Sequence, residues 1–276
     1  MSAMVTIAAR EIRDGLRNRW VLGAALLMAG LALTLSFLGS APTGEVGAGP
    51  LEVTIVSLSS LTIFLVPLIA LLLSHDSIVG EQDRGTLLLL LSYPVARWQV
   101  VLGKFLGHIA ILGFATALGY GAAAGALAIG GAVVDRDGIV AFAGMIGSSI
   151  LLGAVFVALG YLVSVIVRER ATAAGLAIGI WLAFVLLYDM ALLGILVADQ
   201  GKTIGAAAFN WLLLFDPADV YRLLNLAGLS KASMFSGMAG LTGQMQFGRG
   251  VLFLALAAWV AAPLSLATLV FSRRQM

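Results

Sequence analysis

Long apolar stretches without a charged side chain recur along the chain. Five of them contain no Asp, Glu, Lys or Arg over 23 to 30 residues, namely 20–44, 53–75, 105–134, 138–167 and 250–272. A sixth stretch, 171–198, is interrupted only by Asp189. A helix needs about 20 mainly apolar residues to cross a bilayer, so each stretch is long enough to span one. The pattern predicts an all-α polytopic membrane protein with six transmembrane helices.

The segment before the first long stretch has a different pattern. On a helix over residues 5–19, the apolar side would carry Val5, Ala8, Ala9, Ile12 and Leu16, and the polar side Arg10, Arg13, Asp14 and Arg17. A helix with one basic and one apolar face lies in the plane of the membrane interface. The alternative is that the arginines act only as a topology signal. The ordered alternation favours an N-terminal amphipathic elbow helix over residues 1–19.

Composition excludes several classes of protein. Apolar residues make up 61% of the 276 residues and charged residues 11%, against about 45–50% and about 25% in soluble globular proteins. A soluble enzyme is excluded on this ground, and so is a disordered chain, which would combine low hydrophobicity with high net charge. With no cysteine and only two histidines, the chain also lacks the side chains for disulfides, thiolate catalysis or a multi-histidine metal site.

The distribution of basic residues predicts the orientation. With six spans and an inner N-terminus, 11 of the 16 basic residues fall on the inner side. The positive-inside rule therefore predicts an N-in, C-in topology. This topology makes residues 75–104 a cytoplasmic loop and 199–249 a periplasmic segment, and it leaves no room for a large soluble domain. Residues 1–276 are expected to form a single transmembrane domain.

The cytoplasmic loop carries a recognisable pattern. It contains Glu81-x-x-x-Gly85-Thr86, then Leu91-Ser92-Tyr93-Pro94, Arg97 and Gly103-Lys104. On composition alone this would be an ordinary amphipathic connector. The pattern, however, closely resembles the loop between the second and third spans of type-2 ABC exporter permeases, as do the six-span layout and the amphipathic N-terminus.

The resemblance implies a coupling helix that sits in a groove of a separate ATPase subunit. The residues expected to receive the movement that ATP drives are Asp76, Gly80, Glu81, Asp83, Gly85 and Thr86. ATP and Mg²⁺ would bind to the partner ATPase and not to this chain, for which no cofactor is expected. Gly201-Lys202-Thr203 resembles the end of a phosphate-binding loop, but Leu196 occupies the position where such a loop needs its first glycine. We therefore predict no catalytic activity.

Four blocks, within residues 10–20, 74–86, 173–181 and 216–228, resemble more closely the permeases that serve the maturation of the copper centres of nitrous oxide reductase. Asp216 departs from the asparagine expected there. This resemblance implies a homodimer in the bacterial inner membrane, an ATPase subunit and a periplasmic protein, with a copper chaperone as a further candidate partner. Besides lipid, no other partner is expected, and no nucleic acid.

Two alternatives to this function are open. A generic type-2 exporter of a lipid, drug or glycan fits the loop pattern equally well. A secondary transporter or channel is disfavoured, because intramembrane charges are nearly absent and no internal repeat is found.

The periplasmic segment contains a predicted helix. Asp216 can cap its start with Pro217 at the first position, and Gly228 can end it. Its apolar face either packs on the protein's own spans, the favoured interpretation, or meets a periplasmic partner. The candidate docking residues are Asp216, Pro217, Tyr221 and Arg222.

Three further sets of residues are candidate sites. The outer-loop thioethers of Met234, Met238 and Met245 could hold soft copper, although filling gaps or touching lipid is the favoured role. Small-residue pairs suggest a dimer interface, with Gly175 and Gly179 preferred over the pairs at 103 and 107 and at 121 and 125.

Asp189, the one acidic residue within a span, is expected to reach water or to bond a neighbour such as Tyr188. His75 and His108 are expected to form interface hydrogen bonds and not to bind metal.

Overall fold

The computed structural model describes residues 3–17, 19–38, 50–129, 136–199, 206–226 and 247–274. Within these ranges every regular element is helical. The elements are α1 (Ala3–Leu16), α2 (Arg19–Leu38), α3 (Pro50–Ser74), α4 (Val79–Asp83), α5 (Thr86–Leu91), α6 (Arg97–Ile129), α7 (Arg136–Ile166), α8 (Arg170–Leu182), the π-helical segment Ala183–Leu187, α9 (Tyr188–Asp199), α10 (Ala206–Leu213), α11 (Pro217–Leu226) and α12 (Arg249–Arg273).

Five candidate membrane spans in the described residues are long and apolar enough to cross a bilayer alone: Thr54–Asp83, Arg97–Ala126, Gly138–Ile166, Arg170–Asp199 and Arg249–Arg273. A sixth candidate is the pair formed by α1 and α2, which are bent by 66° relative to each other. A bend of this size is what an interfacial helix followed by a spanning helix requires. Five of the six predicted stretches thus correspond to candidate spans, and the first corresponds to α2.

Helix α7 is the centre of the bundle. In the apolar 18-residue window of its span, 78% of the residues are buried in the protein, whereas only 11% are buried in the corresponding window of the span built from α8 and α9 and 22% in that of α12. Helix α7 packs against α3, α6 and α12, and Leu152, Phe156 and Tyr161 are fully buried there. The fifth and last spans are therefore peripheral, with most of their surface available to lipid or to another chain.

Helix α1 packs lengthwise on α6, with Gly103 and Gly107 at the contact. A Cβ atom at Gly103 would lie 2.8 Å from the carbonyl oxygen of Met4, and one at Gly107 would lie 2.5 Å from the Cβ of Glu11. Two glycines one turn apart let the helix backbones approach closely. The small-residue pair at 103 and 107 thus packs the chain's own elbow helix, which is a role different from dimerisation.

The helix predicted after residue 216 is confirmed as α11. The backbone N–H of Ala218 donates to Asp216 Oδ1 at 2.9 Å, which is the expected N-cap. Val220, Leu223 and Leu224 are buried against α3, α7 and α12, so the apolar face packs on the protein's own spans, as favoured. Three features of the sequence analysis lie outside the described residues. They are Gly228, the phosphate-loop-like triplet at 201–203, and the methionines Met234, Met238 and Met245.

Candidate functional site

The connection between α3 and α6 is ordered into a turn and two short helices, α4 and α5. Gly85 separates the helices with a φ of 70°, a left-handed conformation in which a residue with a side chain is strained. The predicted coupling residues are all found here. Asp76 and Glu81 are partly buried and Gly80 is buried, whereas Asp83, Gly85 and Thr86 are exposed. One half of the set therefore faces the bundle and the other half faces away from it.

Ser164 of α7 fixes the start of α4. Its hydroxyl oxygen accepts hydrogen bonds from the backbone N–H groups of Ile78 at 3.0 Å and Val79 at 3.1 Å. The first N–H groups of a helix have no partner within the helix, so an external acceptor is needed where they are buried. Ile78 and Val79 are both fully buried. The loop is thereby attached to the most buried helix of the molecule.

Lys104 of α6 provides a second attachment. Its ammonium group lies 2.5 Å from Glu11 Oε1 on α1 and 2.9 Å from Glu81 Oε1 on α4. The lysine side chain is only 5% exposed. One buried cation therefore joins three helices, and removing it would leave two carboxylates without their partner.

A third attachment links the loop to the fifth span. Arg170 Nη2 donates to Asp76 Oδ2 at 2.7 Å, with Gly80 directly beside this pair. The arginine side chain is 50% exposed, so the ion pair itself contributes about 1 kcal/mol or less to stability. Its importance is geometric, because it fixes the position of the loop relative to α8.

The two histidines form hydrogen bonds, as predicted. His108 Nδ1 lies 2.8 Å from the hydroxyl of Tyr161, and its Nε2 lies 3.7 Å from Glu11 Oε2. His75 Nδ1 donates to the carbonyl oxygens of Leu71 and Leu72 at 3.2 and 3.1 Å. Both rings thus form hydrogen bonds near the loop that connects α3 and α6.

The exposed edge of the loop, residues 82–86, continues into an exposed apolar surface. Leu88, Leu89 and Tyr93 are 64%, 67% and 68% exposed, while Leu87 beside them is fully buried. A cleft of about 410 Å³ separates the loop from α1 and is lined by Glu11, Glu81 and Lys104 among others. The loop therefore exposes a polar edge next to two leucines and a tyrosine, while its inner side is attached to the helices of the bundle.

Glu11, Ser164 and Arg170 were not among the predicted site residues. The sequence contains an indication of the role of Glu11, because a lysine near the start of a span, here Lys104, needs a carboxylate close by. No comparable signal existed for Ser164, since a buried serine in an apolar helix usually bonds its own backbone. Arg170 follows the short turn after α7, and only the fold shows that this turn lies beside Asp76.

The predicted docking residues at the other end of the bundle do not form an exposed surface. Asp216 and Tyr221 are fully buried and Pro217 is buried. The Tyr221 hydroxyl lies 2.9 Å from Ser149 Oγ on α7, and Arg222 Nη2 donates to Asp189 Oδ2 at 2.8 Å. These side chains attach α11 to the spans. Asp189 thus bonds a neighbouring side chain, which is one of the two expected alternatives. The neighbour is Arg222 and not the example Tyr188, which donates to the carbonyl oxygen of Leu212.

The preferred pair of small residues, Gly175 and Gly179, lies in an open region. A Cβ atom at either position would meet no atom within 4 Å. The two glycines are thus free of close contacts within the part of the chain that the structure describes.

An all-helical membrane domain with an elbow helix and a structured loop between two long apolar helices defines a class of transporter subunit. The family of ABC-2 family transporter proteins matches residues 5–276, and the chain belongs to this family. The protein is therefore a multi-pass ABC-2 permease.

Two relatives cover its whole length. The chain is 48% identical over 275 residues to a protein of Pseudomonas aeruginosa named probable ABC transporter permease protein NosY, with 99% of each chain covered. It is 46% identical over 275 residues to a protein of Stutzerimonas stutzeri with the same name, again with 99% of each chain covered.

Proposed function

We propose that residues 76–86 receive the movement of a separate ATPase subunit and pass it to the membrane helices. The observation that carries this proposal is the contrast within the loop. Its inner side is attached to α1, α6, α7 and α8 through Lys104, Ser164 and Arg170, while residues 82–86 are exposed. A segment that transmits force needs both a free contact surface and firm attachment to the parts that move.

The attachments also specify where a movement at the exposed edge is delivered. Ser164 leads to α7, the centre of the bundle, and Arg170 leads to the peripheral fifth span. Lys104 leads to α6 and to the elbow helix. A displacement of α4 is therefore shared among four helices: the central helix α7, α6, the elbow helix α1 and α8 of the fifth span.

The cellular role that we propose is in the assembly of the copper sites of nitrous oxide reductase. The similarity to two permeases named NosY supports it, together with the four sequence blocks described above. By this resemblance the chain is a homodimer in the bacterial inner membrane and hydrolyses no ATP itself. It works with an ATPase resembling NosF, which binds ATP and Mg²⁺, and with a periplasmic protein resembling NosD. Its action transfers a copper or sulfur species needed by the periplasmic enzyme.

Charge reversal at the exposed edge tests the coupling proposal. In a complex purified with the ATPase subunit, Asp83→Arg should weaken association by about tenfold or more, because an exposed carboxylate in the contact is replaced by a cation (about 1.4 kcal/mol per factor of ten). Co-purification and ATP turnover are the measurements.

Asp14→Arg is the matched control, since it makes the same change at an exposed aspartate of α1 (64% exposed). Association that is unchanged in Asp83→Arg, or reduced equally in both variants, contradicts the assignment of the edge.

Deletion of the gene tests the cellular role separately. Nitrous oxide reductase from the deletion strain should lack most of its copper and cluster sulfide, and the wild-type chain supplied in trans should restore both. Normal copper and sulfide in the deletion strain would refute the maturation role. That result would leave the ATPase contact intact and would favour a generic exporter.

A further inference from the structure

Three carboxylates meet in the half of the bundle away from residues 76–86, the coupling loop. Asp189 comes from the first turn of α9, and Asp216 and Asp219 come from the start of α11. Each offers one oxygen to a common position, and these three atoms lie within 4.8 Å of one another. The π-helical segment directly before α9 contributes to this arrangement, because a π turn contains an extra residue and rotates the face that follows it.

Two of these carboxylates each have an oxygen without a partner. Asp216 is 0% and Asp219 is 1% exposed. Asp216 Oδ1 accepts from the N–H of Ala218, and Asp219 Oδ1 accepts from Arg222. The Oδ2 atom of each is buried and accepts no hydrogen bond from any described residue. A buried carboxylate oxygen without a donor is costly, so both atoms are available to a ligand that carries positive charge.

The formal charges in this cluster do not balance. Arg222 is the guanidinium that contacts the group, through Asp189 and Asp219. Three ionised carboxylates and one guanidinium leave a net charge of −2. The cluster thus lacks positive charge.

We propose that Asp189, Asp216 and Asp219 bind one hard divalent cation of the Ca²⁺, Mg²⁺ or Mn²⁺ class. A single divalent ion neutralises the charge of −2 and uses the two free oxygens. Carboxylate oxygens suit these ions, whereas soft monovalent copper prefers sulfur ligands. Water completes the coordination sphere, as is usual for Mg²⁺ and Mn²⁺.

A cation at this position has a structural consequence. It joins α11 to α9, and hence to the outer part of the fifth span, with a bond that depends on the ion. The proposal concerns the end of the molecule opposite the loop and does not depend on ATPase coupling or on copper-site assembly.

Binding of Mn²⁺ to the full-length chain tests the site directly. The protein is purified in detergent or nanodiscs, stripped with a chelator, and titrated with Mn²⁺ while the free ion is followed by electron paramagnetic resonance. We expect one Mn²⁺ per chain, displaced by Ca²⁺ or Mg²⁺, and a higher melting temperature in the presence of the ion.

Two variants and a control assign the ligands. Asp216→Asn keeps the N-cap, because an asparagine oxygen also accepts from Ala218, but removes one charge. This variant and Asp219→Asn should each weaken Mn²⁺ binding by about tenfold or more, since affinity follows the number of charged ligands. Asp14→Asn, far from the cluster on α1, should bind as the wild type does.

Three results would overturn the proposal. They are a stripped wild-type chain that binds no Mn²⁺, folded Asp216→Asn and Asp219→Asn variants with unchanged affinity, and binding of monovalent copper that Mn²⁺ does not displace. The wild-type titration requires no substitution, so a variant that fails to fold still leaves the first and third results decisive.

Discussion

Lys104 lies two turns into α6, at a depth where an isolated ammonium group would be unfavourable. Two carboxylates make the position acceptable, one from the elbow helix and one from the coupling loop. Neither of these elements has another buried ion pair with α6 among the described residues. This one side chain therefore links both elements to α6, in addition to Ser164 and Arg170 at the loop and the glycine contacts at the elbow helix.

Replacing Lys104 with Met should destabilise the chain by about 3 kcal/mol, the lower end of the range for breaking a buried pair, because Glu11 and Glu81 are left as partly buried charges without their cation. The melting temperature of the purified protein measures this effect. The triple variant with Glu11→Gln and Glu81→Gln should recover much of the loss. A Lys104→Met protein that melts with the wild type would show that the two carboxylates do not depend on the lysine.

Individual residues were predictable only where their partner is close in sequence. The cap formed by Asp216 involves a residue two positions away, and it was foreseen. The pair of Glu11 and Lys104 joins positions 93 residues apart, and that of Asp189 and Arg222 joins positions 33 apart. Such pairs depend on how the helices pack, which a charge pattern along one chain does not contain.

The elbow helix α1 has one side that faces away from the protein and another that packs on α6. Val5 and Leu16, on its predicted apolar side, are 43% and 52% exposed, so that side is open to lipid. The stripe that packs on α6 contains instead Met4, Ile7 and Glu11. In lipid, close packing between helices relies on small residues and polar contacts more than on apolar area.

A methyl group at the contact should separate the two helices. Gly107→Ala places a Cβ atom 2.5 Å from the Cβ of Glu11, so α1 must shift, and the ion pair with Lys104 is weakened. We expect a lower melting temperature and faster proteolysis within residues 1–19.

Gly121→Ala is the control on the same helix, because a Cβ atom there meets nothing within 4 Å. It should be neutral or slightly stabilising, by up to about 1 kcal/mol, because alanine is the better helix former. Equal behaviour of the two variants would contradict the packing role of Gly107.

At the level of elements, the length of the apolar stretches predicted the long helices well, because spanning a bilayer sets a minimum length. Their internal irregularities could not be predicted. The π-helical segment Ala183–Leu187 lies inside an uninterrupted apolar run, and α4 and α5 are each shorter than two turns. Neither feature alters the hydropathy pattern.

The molecule as a whole is asymmetric. Its central helix α7 is mostly buried, whereas the fifth span has 11% of its apolar 18-residue window buried and carries two glycines with open surroundings. A second copy of the chain would find there a helix surface that permits close approach. The proposed homodimer is consistent with this exposed span.

Bulky substitutions test the interface. Gly175→Phe combined with Gly179→Phe should reduce the fraction of dimer several-fold, measured by native mass spectrometry or cross-linking in membranes. Gly30→Phe on α2 introduces the same side chain at another open position, outside the candidate small-residue pairs, and should leave the dimer unchanged. A stable dimer in the double variant would exclude this surface.

The separation of 93 positions between Glu11 and Lys104 also constrains how the protein is made. At about 5–20 residues per second, the ribosome needs roughly 5–20 s to synthesise the lysine after the glutamate. During this interval the first helix lacks α6, the helix that it packs against most extensively. Its arginines and apolar side let it lie on the membrane surface, which holds it until the third long helix is inserted. The amphipathic pattern of residues 3–16 is then a requirement of biogenesis as well as of the finished structure.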